Sequence, residues 1–561
     1  MEKTFQEIEN DIDQWLPKKL NKNIPRYKYI YHCQCAFLDL MIDKKLLFSS
    51  AESIETQCIF ALNYNIHLAY RYLKEDDAFE YDFDGNLYLY ATKMLLEGLV
   101  YAKLCDIFPK LYSGKASMRQ NGKHISFIYK NIPREKNRLM DYYLFRKPLS
   151  YLLQNACGIT ENMDETQRQI FLSDLYKHYW GENLWNNDYE PYTAMEGGGI
   201  RDFFSITALK RFMLLYDNDF DIKRLRLSQI QILFSKEGTQ KIRSFIPTEN
   251  EEYYQAAFED CIYKPLGKGD FPKANIADAP IIKTNNGCSF TNPLVILFNN
   301  SLDTQFLNYL RRHDNSRFLI IKDKIKERCI PQVQFLLNRK IINIKDITNF
   351  QVKIPGKGNK KRELDYFVID SNNIGLYIEF KHFYIPESTG EVKVLDTEFN
   401  KAMKKMPYQL DAIQKSWNTL SQEYELPKEI KELHGMIVSY MYTGWDVPFN
   451  DNYPLVNMSI LSNAIEHSNS LLSVYKYCCN VEKVYKNVPT ITKKNKICYA
   501  GYEFEVEDVA LIPEFETKIN HMLKKQIRHK LINNGSLYHV PYMAIDYNDI
   551  LDMQNQKGAI N

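Results

Sequence analysis

Two acids and a lysine interrupt the two apolar runs that flank a polar turn between residues 364 and 382, LDYFVIDSNNIGLYIEFKH. Asp365 stands at the start of the first apolar run, and Glu379 and Lys381 stand near the end of the second. Successive strand residues face opposite sides. Tyr377, Glu379 and Lys381 therefore share one face, and Leu376, Ile378 and Phe380 share the other. A three-residue loop of Ser371, Asn372 and Asn373 puts Asp370 opposite Ile374, and Asn tolerates the left-handed conformation such a loop needs. Five residues back from each, Asp365 lies opposite Glu379. Directly paired residues project from the same face with Cβ atoms about 4.5–5.5 Å apart, so Asp365, Glu379 and Lys381 are expected to converge. Opposed carboxylates repel by several tenths of a kcal/mol, and a divalent cation relieves that cost. Mg2+ takes hard oxygen ligands, commonly one or two carboxylates, with water and substrate phosphate completing its shell. An amine on the same face can orient a water or steady the charge of an attacked phosphate. The chemistry this set could do is metal-assisted phosphodiester hydrolysis.

An acid at the start of one strand, a hairpin, and then (D/E)-x-K in the next strand resembles the PD-(D/E)xK nuclease superfamily, the restriction-endonuclease-like fold. Asp365 and Glu379-Phe380-Lys381 fill the signature, although Leu364 replaces the usual proline. The resemblance implies metal ligation by Asp365, Glu379 and the backbone carbonyl of Phe380, with Lys381 as the catalytic lysine. It also implies a glutamate on a helix ahead of the sheet, best matched by Glu327, and a glutamine on the following helix, matched by Gln409. Pro331 lies four residues after Glu327, and a proline clashes with a continuing helix, so that helix is expected to end or kink there. The resemblance covers roughly residues 315–445. It implies a Mg2+-dependent nuclease, Mn2+ being a possible substitute, that acts on nucleic acid, DNA first, and pairs as a homodimer in many members. Fusion to a large helical region resembles bacterial defence proteins against phage or plasmids.

The elements that must position these residues begin near residue 294. Helical text leads to a strand at 347–354 (ITNFQVKI), the basic loop PGKGNKKR, the hairpin, a helix at 396–420 and an apolar strand at 433–442 (LHGMIVSYMY). The text at 540–551 reads as a strand running into a short helix. Residues 322–363 hold 12 Lys/Arg against 4 Asp/Glu. Lys357, Lys360, Lys361 and Arg362 concentrate that excess beside Asp365, where they could meet phosphates. The competing reading is an ordinary solvated basic loop.

Residues 1 to about 250 read as mostly helical, with apolar residues at three- and four-residue spacing in 55–73 and 87–108. The text at 137–159 and in DFFSITALKRFMLLY is similar. The stretches 179–202 and 263–293 read as irregular, the second as a domain boundary. The expected fold class is mixed α and β. A helical regulatory or recognition region, 1–285, precedes a nuclease-like domain, 294–561, with a mixed central sheet flanked by helices.

At 561 residues the chain is long enough for several domains with real cores. A net charge of +2 excludes a global basic field, so nucleic-acid contact must be local. Eleven cysteines without a CxxC point to reduced thiols in a cytoplasmic setting rather than a zinc site. The start is charged from its second residue, and no window approaches 18 uncharged apolar residues, so neither a signal peptide nor a membrane span is expected. His32, Cys33 and Cys35 mimic ligands but lie in helical text and read as core. His382 falls on the opposite face from Lys381 and reads as structural. EGGGIRD and PLGKGD lack the lysine and hydroxyl spacing of a phosphate loop. Two further readings stand beside the enzyme: an inactive nuclease fold that clamps nucleic acid or serves as an assembly platform, and an interaction protein whose helical half binds a partner.

Overall fold

The computed structural model of this chain describes residues 3–43, 52–75, 79, 82–112, 114, 116–129, 139, 232–234, 251–265, 274–292, 295, 310–312, 314–353, 361–381, 389–439 and 452–522. The stretches 137–159 (Leu139 excepted), 179–202 and 540–551, the DFFSITALKRFMLLY text, the two glycine-rich motifs (Pro265 excepted) and His382 lie outside them.

The candidate site is carried by a five-stranded mixed sheet. Its strands are β6 (Lys345–Lys353), β7 (Lys361–Ile369), β8 (Ile374–Lys381), β9 (Glu432–Ser439) and β10 (Leu455–Asn457), in the order β10-β9-β8-β7-β6. β6, β7 and β8 are antiparallel neighbours, and β8, β9 and β10 run parallel. β7 and β8 are buried on both faces for most of their length. That explains their near-continuous apolar text, because a strand sandwiched between helices has no solvated side.

Two apolar cores share this sheet. On one face Tyr366, Val368, Leu376, Ile378, Phe380, Met436 and Val438 pack with α8 (Asn315–Lys340), α10 (Met458–Glu466) and α11 (Leu471–Lys486). On the other, Phe367, Ile369, Tyr377 and Ile437 pack against α9 (Thr389–Glu423). Leu395, Phe399, Ala402, Met406, Ile413, Trp417 and Leu420 form the buried stripe of α9 at helical spacing. α9 comes close to the sheet because residue 435 is glycine. A Cβ there would lie 2.5 Å from Met406 Sδ and 3.2 Å from Leu410 Cδ1.

The hairpin register is the expected one. Tyr366 pairs with Ile378, Phe367 with Tyr377, and Ile369 with Gly375. The loop is closed by Asp370, whose Oδ1 accepts from the N–H groups of Asn372 and Ile374. Asn373 takes the left-handed conformation, with φ +62°. Asp370 Oδ2 also accepts from Leu471 N–H at 3.3 Å, which ties the turn to the start of α11.

Two expectations need correction, and the mostly helical N-terminal half holds with one addition. α8 does not stop at Pro331 but runs on to Lys340, because Cys329, Ile330, Val333 and Leu337 hold its second half to the core. The stretch 263–293 is not wholly irregular: β4 (Ile281–Lys283) and β5 (Ser289–Thr291) pair there, β5 also meeting β3 (Ile232–Phe234). The N-terminal half, with α1 (Phe5–Asp13), α2 (Trp15–Lys19), α3 (Arg26–Asp43), α4 (Glu52–Tyr72), α5 (Gly85–Cys105), α6 (Phe108–Tyr112) and α7 (Glu251–Asp260), also contains a hairpin. β1 (Ala116–Asn121) and β2 (His124–Tyr129) turn at Gly122, φ +62°. Asn121 pairs with His124, so Gly122 and Lys123 form the two-residue loop, and glycine at its first position is the signal that marks it. β2 pairs in parallel with β12 (Tyr502–Leu511), itself paired with β11 (Thr490–Tyr499), so one sheet takes strands from both halves of the chain.

Candidate active site

The sheet brings Asp365, Glu379, Phe380, Lys381 and Gln409 together. Both ladders of β7 give way at Asp365. The β7–β8 pairing ends at Tyr366 and Ile378, and the β6–β7 pairing skips Asn349, which has φ +47° opposite Asp365. At the next rung the Asp365 carboxylate replaces a backbone partner, its Oδ2 accepting from Phe380 N–H at 2.8 Å. This draws the Asp365 carboxylate against the backbone between Glu379 and Lys381.

Glu379 is the hub. Its Oε1 accepts from Lys381 Nζ at 2.5 Å, and its Oε2 accepts from Gln409 Nε2 at 2.8 Å and from the Tyr377 hydroxyl. Gln409 Nε2 also lies 3.1 Å from the Tyr377 oxygen. Asp365 and Glu379 are 6% and 7% exposed, so neither charge has much water, and a buried charge needs partners. Burial pushes the Glu379 carboxyl up, but the Lys381 ammonium and hydrogen bonds from Lys381, Tyr377 and Gln409 outweigh it, leaving the carboxyl below the ordinary glutamate range. Burial, with the nearby charges of Glu379 and Asp365, pushes the Tyr377 phenol well above its ordinary range. It therefore stays a donor.

The division of labour at Glu379 matters chemically. Oε2 is held from the protein side by two neutral donors, whereas Oε1 turns to Lys381, the most exposed member of the set. Two carboxylates against one ammonium leave the cluster one negative charge in excess. The carboxylate and carbonyl atoms it could offer a cation are hard oxygens. Such a donor set suits Mg2+ or Mn2+, which complete their shells with water and phosphate, better than zinc, which favours imidazole and thiolate. Among the described residues no group of three or more His, Cys, Asp or Glu gathers as an all-protein cage.

The other expected residues fare differently. Glu327 lies in α8, but its side chain is outside the described residues, as are Lys357 and Lys360. Lys361 is exposed and Arg362 half-buried at the start of β7. His32, Cys33 and Cys35 are core residues of α3, and every described cysteine is a free thiol. Two residues near the site carry roles that sequence reasoning left unassigned. Tyr377 grips Glu379, and the signal was its alternation with Glu379 and Lys381. Ser439, the register partner of Lys381, is fully buried, and its hydroxyl has no hydrogen-bond partner among the described residues. Its signal was a polar residue within an apolar strand.

Among the described residues no helix is long and apolar enough to cross a membrane. Comparison of the chain with protein-family models, with curated proteins and with solved structures gave no match.

Proposed function

We propose that this chain is a Mg2+-dependent nuclease of restriction-endonuclease-like fold that hydrolyses phosphodiester bonds, DNA being the first substrate to test. The observation that carries this reading is the meeting of Asp365, Glu379 and Lys381 just past the end of the β7–β8 ladder, braced by Gln409 from the crossover helix. Asp365, Glu379 Oε1 and the Phe380 carbonyl would hold the cation. When bound, Mg2+ would supply Lewis-acid polarisation of the scissile phosphate and a more acidic water. Lys381 steadies the charge that develops on the phosphate and orients the attacking water. Tyr377 and Gln409 keep Glu379 ionised and fixed, so the acceptor geometry exists before substrate arrives. The apolar layers on either side of β7 and β8 keep bulk water away.

The test is purified protein with plasmid, linear and single-stranded substrates in Mg2+, Mn2+ or EDTA, beside Lys381→Ala. Metal-dependent cutting that falls by 100-fold or more in Lys381→Ala is the expected result, on the usual scale for loss of a transition-state charge contact, roughly 10²–10³. One observation favours a second reading, an inactive nuclease fold that clamps nucleic acid. Glu379 already accepts from three donors, so the cluster is electrostatically supported without a cation. Binding without cutting under every metal condition supports that reading and overturns the first.

A further inference from the structure

One face of α9 packs on the sheet and contributes Gln409 to the site. The opposite face carries Lys401, Lys404, Lys405 and Tyr408, spaced i, i+3, i+4 and i+7, so they form a single stripe. All four are exposed, and Tyr408 is 72% exposed.

A solvated helix face normally balances its lysines with acids three or four residues away, and the next turn does so, with Lys415 2.8 Å from Asp411. The stripe departs from that pattern. Lys401 pairs with Glu398 at 2.6 Å, but the positions three and four residues from Lys404 and Lys405 hold no acid at all. Tyr408 follows Lys404 by four residues and Lys405 by three, which sets an open aromatic ring beside two ammonium groups without carboxylate partners. The stripe also borders the site. Tyr408 adjoins Gln409, and Glu398 feels the charges of Lys401, Lys381 and Lys405. Lys381 and the stripe thus lie within electrostatic reach of one carboxylate.

We propose that this stripe docks single-stranded nucleic acid: Lys404 and Lys405 take successive phosphates, Tyr408 stacks one unpaired base, and the strand is led toward Lys381. Single strands are favoured over duplex because an exposed ring beside cations is a stacking platform for a splayed base, and a paired base offers no free face. The proposal rests on the nucleic-acid reading of the site but is tested apart from catalysis.

The experiment is fluorescence anisotropy of the full chain in EDTA, with a short labelled oligothymidylate and a duplex of equal length, across a salt series. Tyr408→Ala is expected to weaken single-strand binding by about ten-fold or more, the scale of one lost base stack, and to leave duplex binding nearly unchanged. Lys404→Ala with Lys405→Ala should lower the steepness of the log affinity against log salt plot by about 1.4 for two lost single-strand phosphates. Lys493→Ala with Lys494→Ala, on β11, should change neither. All these positions are exposed, and circular dichroism checks that the fold is kept. Wild-type binding by both stripe variants overturns the proposal, as does an equal loss in the β11 variant. Equal loss on duplex and single strand for Tyr408→Ala overturns the single-strand assignment. If the stripe variants lose binding but the wild type cuts nothing, docking stands and the nuclease reading falls. If the wild type cuts and stripe variants bind normally, the reverse holds.

Discussion

At the scale of single residues, the cluster is arranged around Glu379, and Tyr377 is the partner that tests that arrangement. Tyr377→Phe removes one oxygen and leaves the ring in the core. It deletes a donor to a buried carboxylate, a loss of about 1.5–3 kcal/mol for a hydrogen bond to a charged group. Thermal unfolding should show that loss. Mn2+ binding by calorimetry should weaken about 10-fold or more, the usual scale for a residue that orients a ligand. Tyr366→Phe is the control. Tyr366 is equally buried on the same sheet, but its hydroxyl goes to Asp346 at 2.9 Å, on the far side of the sheet from Glu379. It should lose stability without losing metal affinity. Equal loss of affinity in both variants would show that general packing, and not the hold on Glu379, sets the site.

At the scale of elements, the approach of α9 to the sheet decides whether Gln409 reaches Glu379. Gly435→Ala places a methyl group 2.5 Å from Met406 Sδ. Overpacking of this kind costs about 1–3 kcal/mol. The expected outcome is a lower Tm and weaker cleavage together, with part of both restored by adding Met406→Ala. Additive loss in the double variant would mean that the two positions do not share one space. A second element-scale test concerns the helical half. His32 on α3 lies with Nδ1 2.6 Å from Lys28 O, and its Nε2 accepts from Asp84 N–H, at the N-cap of α5. Burial lowers the imidazole pKa below its ordinary value. The unfolded chain therefore takes up the proton first, near pH 6.5. Stability is full above that pH and is lost as pH falls from about 6.5 toward the lower folded value. A Tm profile from pH 8 to pH 5 should show the fall, and His32→Gln should flatten it. An unchanged profile in His32→Gln would place the titration elsewhere.

At the scale of the whole molecule, the four-stranded sheet joins distant parts of the chain. Glu503, Phe504 and Glu505 of β12 pair in parallel with His124, Ile125 and Ser126 of β2. Phe504 stacks on Phe127 at 5.8 Å. Tyr499 at the end of β11 lies against Trp15 and Tyr101 of the helical half. A chain without residues 116–129 would leave β12 with an open edge, which invites aggregation. Residues 294–561 expressed alone should therefore be less soluble and unfold earlier than the full chain, measured by sedimentation and by thermal melting. Coexpression with residues 1–129 should restore part of the loss. A fragment as stable as the whole chain would show that this sheet adds little.

Much of the site was legible in local text because a hairpin is local. Two apolar runs, an Asn-rich turn and strict alternation determine which residues share a rung, and the chain obeys that arithmetic from Asp370 back to Tyr366. The helix carrying Gln409 and the apolar strand that contains Ser439 were legible for the same reason, since their buried positions repeat with the period of the element. Pro331 does not end α8 because its clash is a local penalty, and burial along the helix exceeds it. The contacts that complete the cluster were not legible. Tyr377 and Gln409 lie 32 residues apart, and no sequence period reports how closely a crossover helix descends onto a sheet. Sequence by itself determined the register, the faces and the residue types of the cluster. Tertiary structure alone decided that β7 breaks its ladders at Asp365, that Gly435 admits α9, and that strands from both halves share a sheet, because each depends on packing between segments with no common period.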